Sequence, residues 1–225
     1  MGDWQGRRAL ILSAAPCDDL QYVCDFLREN PDCVVLCADG GMKYAQQLGI
    51  VPDAVAADFD SSRQAIPCGE LIRLTPEKDD TDTQHCVSLA VSRGCKEITL
   101  ACATGGRLDH LLCNLLLCES AYEAGARLQV IDPHNTVFLH PGGTMVFARS
   151  HARKYISLIP LDSRLEGVTL QGMKYPLYEA ELTRSHIISV SNEAAAGQFS
   201  ITLRQGRALV IFSEDSAVNE MGNEI

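Results

Sequence analysis

The chain has 225 residues, 46% of them hydrophobic and 21% charged, and a formal net charge of −10 at pH 7. That length suits one large domain or two small ones with a real core, and the ordinary balance of residue types excludes wholesale disorder. The acidic excess excludes nucleic acid as the main partner, because phosphate backbones are held by lysine and arginine. An acidic protein can still handle a polyanion if a divalent cation stands between its carboxylates and the phosphates.

The first eight residues lead directly into a strand-like run, without the long apolar stretch of a signal peptide. No apolar run approaches the roughly 20 residues that span a bilayer, so no membrane association is expected. Ten cysteines, all between Cys17 and Cys118, include no Cys-x-x-Cys pair. They read as reduced, mostly buried thiols in a cytoplasmic protein.

Short apolar runs at 9–14, 34–38, 54–57, 71–74, 98–103 and 128–131 predict buried strands. Amphipathic segments at 20–28, 42–48, 81–93 and 108–124 predict helices between them, the last with Leu108, Leu111, Leu112, Leu115 and Leu116 on one apolar face. Strands alternating with helices give an α/β fold, a mostly parallel, Rossmann-like sheet with helices on both faces. Beyond Asp132 the pattern changes. Strand-like runs at 136–140, 145–148, 155–160, 167–170, 187–190, 199–203 and 208–212 are separated by turn residues. They predict a small all-β sandwich, so the expected domains are 1–133 and 134–225.

In open parallel sheets, ligands sit outside the carboxyl ends of the strands, and four motifs fall there. Asp39-Gly40-Gly41 follows the second strand. Glycine lets main-chain N–H groups approach a phosphate and a helix N-terminus favours an anion, although a Gly-Gly turn also serves as a plain connection. Asp58-Phe59-Asp60-Ser61 follows the third. Residues two apart in an extended segment face the same way, so both carboxylates can reach one site. Their mutual repulsion calls for a cation, and Mg2+, which takes oxygen ligands and substrate phosphates, fits. A helix cap at Asp60 or Ser61 is the plainer alternative.

Lys78-Asp79-Asp80-Thr81-Asp82 opens a helix. Acids there cap the helix and complement its dipole. They would also share a sheet edge with Asp58 and Asp60, and Lys78 can meet a phosphate oxygen. Gly105-Gly106-Arg107-Leu108-Asp109-His110 lies between a strand and the leucine-rich helix. Its glycines open space, Arg107 can fork onto phosphate oxygens, and Asp109 and His110 fall in the first helical turn.

Taken in order, with Asn114 one turn past His110, these motifs resemble the thiamine pyrophosphokinase family. Residues 172–177 and 189–193 resemble its two recognisable C-terminal segments, so the likeness covers nearly the whole chain and is firmest from 39 to 114. Two departures stand out. Ala57 occupies the usual glycine position before the aspartate pair, and the first strand ends Ser13-Ala14-Ala15-Pro16 in place of an Asn-Gly-type turn.

The resemblance implies transfer of the β,γ-diphosphate of ATP to the hydroxyl of thiamine, with release of AMP and Mg2+ as cofactor. It also implies a homodimer in which the β domain of one subunit closes the thiamine site of the other. Carried onto this sequence, the metal falls to Asp58, Asp60 and an acid of the 79–82 cluster, Asp82 or Asp79. Catalysis falls to Asp58, Asp60, Asp82 and Arg107. ATP falls to Asp39, Gly40, Gly41, Lys78, Gly105, Gly106, Arg107, Asp109 and His110, with Asp109 orienting Arg107 or binding a ligand hydroxyl. Thiamine falls to Asp79 and Asp82 in the first domain and Tyr175, Ser191 and Asn192 in the second. No general base is singled out beyond an aspartate near the metal. Two rival readings share the motifs: a metal-dependent nucleotide hydrolase or a transferase to another alcohol, and a non-catalytic nucleotide or thiamine sensor.

Overall fold

The computed structural model describes residues 4–57, 67–74 and 80–216. The chain divides into two units, Met1–Pro133 with Val137–Leu139, and His134–Thr136 with His140–Ile225.

The first unit alternates strand and helix. Its strands are β1 (Arg8–Leu12), β2 (Val34–Ala38), β3 (Ala54–Ala57), β4 (Glu70–Arg73), β5 (Glu97–Ala101) and β6 (Arg127–Ile131). They lie in the order β4-β3-β2-β1-β5-β6, every neighbour parallel. All residues of β2 and β3 are buried, as expected where a parallel strand is covered on both faces and so reads as a continuous apolar run.

The helices are α1 (Gln21–Glu29), α2 (Met42–Gln47), α3 (Asp82–Ser92) and α4 (Leu108–Glu123). Leu10, Leu12, Val35, Cys37 and Val55 pack with Val23 and Phe26 of α1 and Tyr44 and Ala45 of α2. Strand side chains alternate in direction, so Ser13 turns to the opposite face, where it meets Thr83 of α3. Neither Asp80 nor Asp82 is the N-cap of α3. Thr81, in an extended conformation, accepts from the N–H of Gln84 at 3.1 Å.

The leucine face expected to define α4 is not its buried side. The helix buries Asn114, Leu117, Cys118 and Ala121, a stripe with i, i+3, i+4, i+7 spacing. Leu108, Leu112 and Leu116 are 72%, 60% and 49% exposed. The helix is apolar almost all round, so the leucine count alone did not show which side met the sheet.

In the second unit, β11 (Leu177–Thr183), β10 (Arg164–Gln171), β12 (Gln198–Leu203) and β8 (Gly143–Ala148) form an antiparallel sheet in that order. Two further strands, β9 (Tyr155–Pro160) and β13 (Ala208–Ser213), pair antiparallel. The division between units falls inside β7 (Asn135–His140). Phe147 of β8 and Phe199 of β12 stack at 5.2 Å between ring centroids, and Phe212 of β13 meets both edge-on at 5.4 and 6.0 Å. Such pairs stabilise beyond the area they bury.

The expected strand at 187–190 is absent. Ile188 and Val190 are exposed, and the segment is held by Ser189, whose hydroxyl donates to Leu158 O at 2.6 Å. The strand missed in its place is β11, an edge strand with exposed Tyr178, Glu179 and Glu181 and so little apolar signal. All ten cysteines are free thiols, with Cys33, Cys37, Cys86, Cys95, Cys102 and Cys118 buried. Burial pushes the Cys37 and Cys118 thiols up to about 12, so both stay protonated near neutrality. Among the described residues no helix is long and apolar enough to cross a membrane.

Candidate active site

From β1 the chain steps outward through β2, β3 and β4, then returns past β1 to lay down β5 and β6. The strand order therefore reverses between β1 and β5, and the crevice beyond their carboxyl ends is where such a sheet binds a ligand. The segment after β1, Ser13-Ala14-Ala15-Pro16, is the meeting point of three motifs. A Cβ on Gly41 would lie 2.1 Å from Leu12 O, so only glycine fits where the second-strand motif crosses β1. Gly40 would come within 3.2 Å of the Ala14 Cβ. Gly106 has φ +65 and a Cβ there would lie 3.0 Å from Pro16 Cδ, which seats the fourth motif on the same segment. Thr83 brings in the first turn of α3.

Two non-glycine residues hold left-handed backbone here, Asp39 (φ 40) immediately after β2 and Cys102 (φ 53) immediately after β5. Each costs on the order of 1 kcal/mol and persists only where its surroundings over-determine it. At Cys102 the bracing is visible: its N–H donates to the Tyr22 hydroxyl at 3.0 Å, and its carbonyl accepts from Ala15 N at 3.0 Å. The Tyr44 hydroxyl donates to Ala15 O. Helices α1 and α2 thus clamp the two loops that border the crevice.

Asp82 stands half-buried in the first turn of α3, with Asp80 exposed just before it. Because Thr81 supplies the cap, neither carboxylate is needed for that task. Arg107 and Asp109 form a forked pair, Nε to Oδ1 at 3.1 Å and Nη2 to Oδ2 at 2.5 Å. Asp109 Oδ1 also accepts from His110 N at 2.9 Å. The Arg107 guanidinium and that N–H hold the Asp109 carboxyl down to about 2. Asn114, buried in α4, donates to Ala103 O at 2.9 Å and ties the helix to the loop after β5.

Asp58, Asp60, Lys78 and Asp79 lie outside the described residues, although β3 ends at Ala57, directly before the aspartate pair. Among the described residues no three metal-ligating side chains converge. A Mg2+ site does not need them, since that ion is held by one or two carboxylates together with substrate phosphates and water. The donors along this edge are hard carboxylate oxygens, the chemistry Mg2+ selects.

In the second unit the structure places Tyr175, Ser191 and Asn192 together. Asn192, 5% exposed, has its amide spent on main chain: Oδ1 accepts from Tyr175 N at 3.0 Å and Glu193 N at 2.9 Å, and Nδ2 donates to Tyr175 O at 2.7 Å. Ser191 has φ 59, and its N–H donates to Ser157 Oγ at 3.0 Å. Tyr175 is exposed, with Lys174 Nζ 5.5 Å from its ring centroid. Asn192 therefore shapes the turn that presents Tyr175. Asn192→Leu should leave three main-chain groups unpaired and lower stability by about 3 kcal/mol. Denaturant unfolding of the variant checks this; an unchanged midpoint would show that the turn does not depend on the amide.

The sequence reading missed Tyr22 and Thr83 as parts of this neighbourhood and marked Ser13–Pro16 only as a departure from the family pattern. The small-residue run Ser13-Ala14-Ala15 ending the first strand was the available signal, because only small side chains let other loops approach so closely.

Residues 28–130 match the family described as Thiamin pyrophosphokinase, catalytic domain, and residues 144–207 match Thiamin pyrophosphokinase, vitamin B1 binding domain. A thiamine pyrophosphokinase of Bacillus subtilis is 28% identical over 185 residues, 79% of this chain and 86% of that protein. The crystal structure of a B. subtilis thiamine pyrophosphokinase superposes with TM-score 0.82 at 26% identity, covering 93% of this chain and all of that one. The thiamin pyrophosphokinase of Geobacillus thermodenitrificans gives 0.81 at 28% identity, covering 93% and 99%. With both domains matched in order and the crevice motifs seated on one strand end, the chain belongs to the thiamin pyrophosphokinase family.

Proposed function

We propose that this protein transfers the β,γ-diphosphate of ATP to the hydroxyl of thiamine, giving thiamine diphosphate and AMP. The observation that carries the reading is the convergence of the Asp39, Asp82 and Gly105–Gly106 motifs on the β1/β5 crevice, in a chain whose second part matches a vitamin B1 binding domain. In this reading the first unit is a Rossmann-like nucleotide domain, supported by its all-parallel order and reversal at β1/β5. The second is a sandwich, supported by the phenylalanine trio.

The hydroxyl oxygen of thiamine attacks the β-phosphorus as the bridging bond to the α-phosphate breaks and AMP leaves. Such a reaction asks the protein for in-line positioning and charge neutralisation more than for covalent help. Asp39 with Gly40 and Gly41, and Gly105 and Gly106 with His110, line the nucleotide. Lys78 and Arg107 hold its phosphates, Arg107 leaving Asp109 to do so. Asp58 and Asp60, with Asp82 or Asp79, are the residues that would hold Mg2+, which when bound neutralises phosphate charge. The remaining acid of that pair faces the thiamine cation, with Tyr175 and Ser191 from the second unit of the other chain of a homodimer contributing its aromatic and polar walls.

The reading includes a homodimer with shared sites. What supports it is the exposed leucine face of α4, which begins at the Arg107–His110 motif, since exposed apolar patches mark contact surfaces. Ten free thiols support a cytoplasmic setting. The test is thiamine dependence: with ATP and Mg2+, AMP should form only when thiamine is added. ADP as the product, or AMP formed equally well without thiamine, would overturn the reading.

A further inference from the structure

A buried pair of hydroxyls holds the first turn of α3 to the end of β1. Ser13 Oγ and Thr83 Oγ1 lie 2.8 Å apart, and the two residues are 6% and 7% exposed. Ser13 is placed by both strands bordering the crevice: it follows β1, and its N–H donates to Ala101 O of β5 at 2.9 Å. Thr83 is the second residue of α3 and starts its buried stripe, Thr83, Cys86, Val87 and Ala90.

Neither helix formation nor packing calls for a hydroxyl at Thr83. Thr81 already caps the helix, threonine is a modest helix former, and valine has the same shape. A buried hydroxyl is costly unless bonded, and here each satisfies the other. What the pair adds over two apolar groups is direction, because a hydrogen bond weakens steeply with distance and angle whereas an apolar contact slides. Successive helix residues lie about 100° apart around the axis. With Thr83 turned onto β1, Asp82 is therefore turned aside from the sheet, toward the edge where it stands half-buried.

We infer that Ser13 and Thr83 are positioning residues whose hydroxyl pair fixes where the first turn of α3 carries the Asp82 carboxylate at the crevice. The inference rests on the proposed role of Asp82 toward the metal. The pair acts as an outer-shell support, and disturbing such supports weakens metal binding by about tenfold or more.

The test compares Ser13→Ala, Thr83→Val, the double variant, Thr83→Ser and Asp82→Asn in the full chain. Two quantities are read: the thermal midpoint, and Mn2+ affinity in the presence of a non-hydrolysable ATP analogue, from the electron paramagnetic resonance signal of free Mn2+. Each single apolar variant leaves one hydroxyl unpaired and should lower the midpoint by several degrees, and the double variant, with both hydroxyls gone, should recover most of it. Mn2+ affinity should fall about tenfold in both single apolar variants and stay down in the double, while Thr83→Ser keeps it near wild type. Affinity returning together with the midpoint in the double variant would overturn the inference, leaving the pair a packing feature. Asp82→Asn separates the other failure: if it binds Mn2+ as wild type does, Asp82 is not the group being placed, and the inference falls with that assignment.

Discussion

Removing divalent metal should reduce AMP formation to background, and Asp82→Asn should cause a large part of that loss with metal present. The chain carries a net charge of −10, so the tetra-anionic triphosphate cannot approach a carboxylate-lined edge without cations between them. Asp82 is half-buried at that edge and is not the helix cap. Replacing it with Asn keeps the shape and removes the charge, and a fall in kcat of about 10²- to 10³-fold is expected, the range for losing one electrostatic contact in a reaction centre. Its place in the first turn of α3 complements the helix dipole, a contribution of about 0.3–1 kcal/mol. The variant should therefore unfold within a few degrees of the parent. Turnover before and after chelation, and after Mg2+ is restored, checks the first half; kinetics and a melting curve of Asp82→Asn check the second. Normal turnover in excess chelator would remove the metal from the account.

The second large effect is expected at Arg107. Its guanidinium rests in a fork with Asp109 on the surface, the two side chains 72% and 63% exposed, at the start of the helix that follows Gly105 and Gly106. An exposed pair of this kind contributes little to stability, so Arg107→Ala should leave the melting temperature almost unchanged. For the reaction, loss of a phosphate-forking arginine is expected to lower kcat/KM by about 10³-fold. Arg107→Lys should recover only part, since an ammonium cannot form two parallel bonds to a phosphate. Asp109→Asn should have a smaller effect, because it removes the resting partner and leaves the guanidinium in place. The Asp109 carboxyl is held down to about 2 by Arg107. The stability its ionisation contributes is present above its ordinary value and is lost as pH falls through about 2. A rate change near neutral pH would therefore have to come from another group.

The alternation of apolar runs and amphipathic segments was enough to read the parallel sheet, because buried parallel strands such as β2 leave an unbroken apolar signature. The same logic failed at two places for one reason, that exposure is set by neighbours a single segment does not reveal. Helix α4 has leucines on the side away from its core, and β11 is an edge strand whose side chains are largely polar or exposed. At the crevice, the strand-end positions of the Asp39, Asp82 and Gly105–Gly106 motifs were legible from their order along the chain, since each alone also serves as a plain turn or helix start. Ser13, Thr83 and Tyr22 were not, since a serine, a threonine and a tyrosine acquire their roles only through partners 70 and 80 residues away. Asn192 lies between the two. Its place in a family-like segment was legible, whereas the bonds that tie its amide to the main chain of Tyr175 and Glu193 were not.

The central claim is that two linked phosphates pass from ATP to thiamine as a unit. The most direct measurement is to follow ATP carrying 18O on the non-bridging oxygens of both its β- and γ-phosphoryl groups with the protein, Mg2+ and thiamine, and to identify the labelled product by mass and 31P resonance. The account predicts thiamine diphosphate carrying both labels in one molecule, with unlabelled AMP in equal amount. Labelled ADP with thiamine monophosphate, or free labelled phosphate or diphosphate with unmodified thiamine, would contradict it.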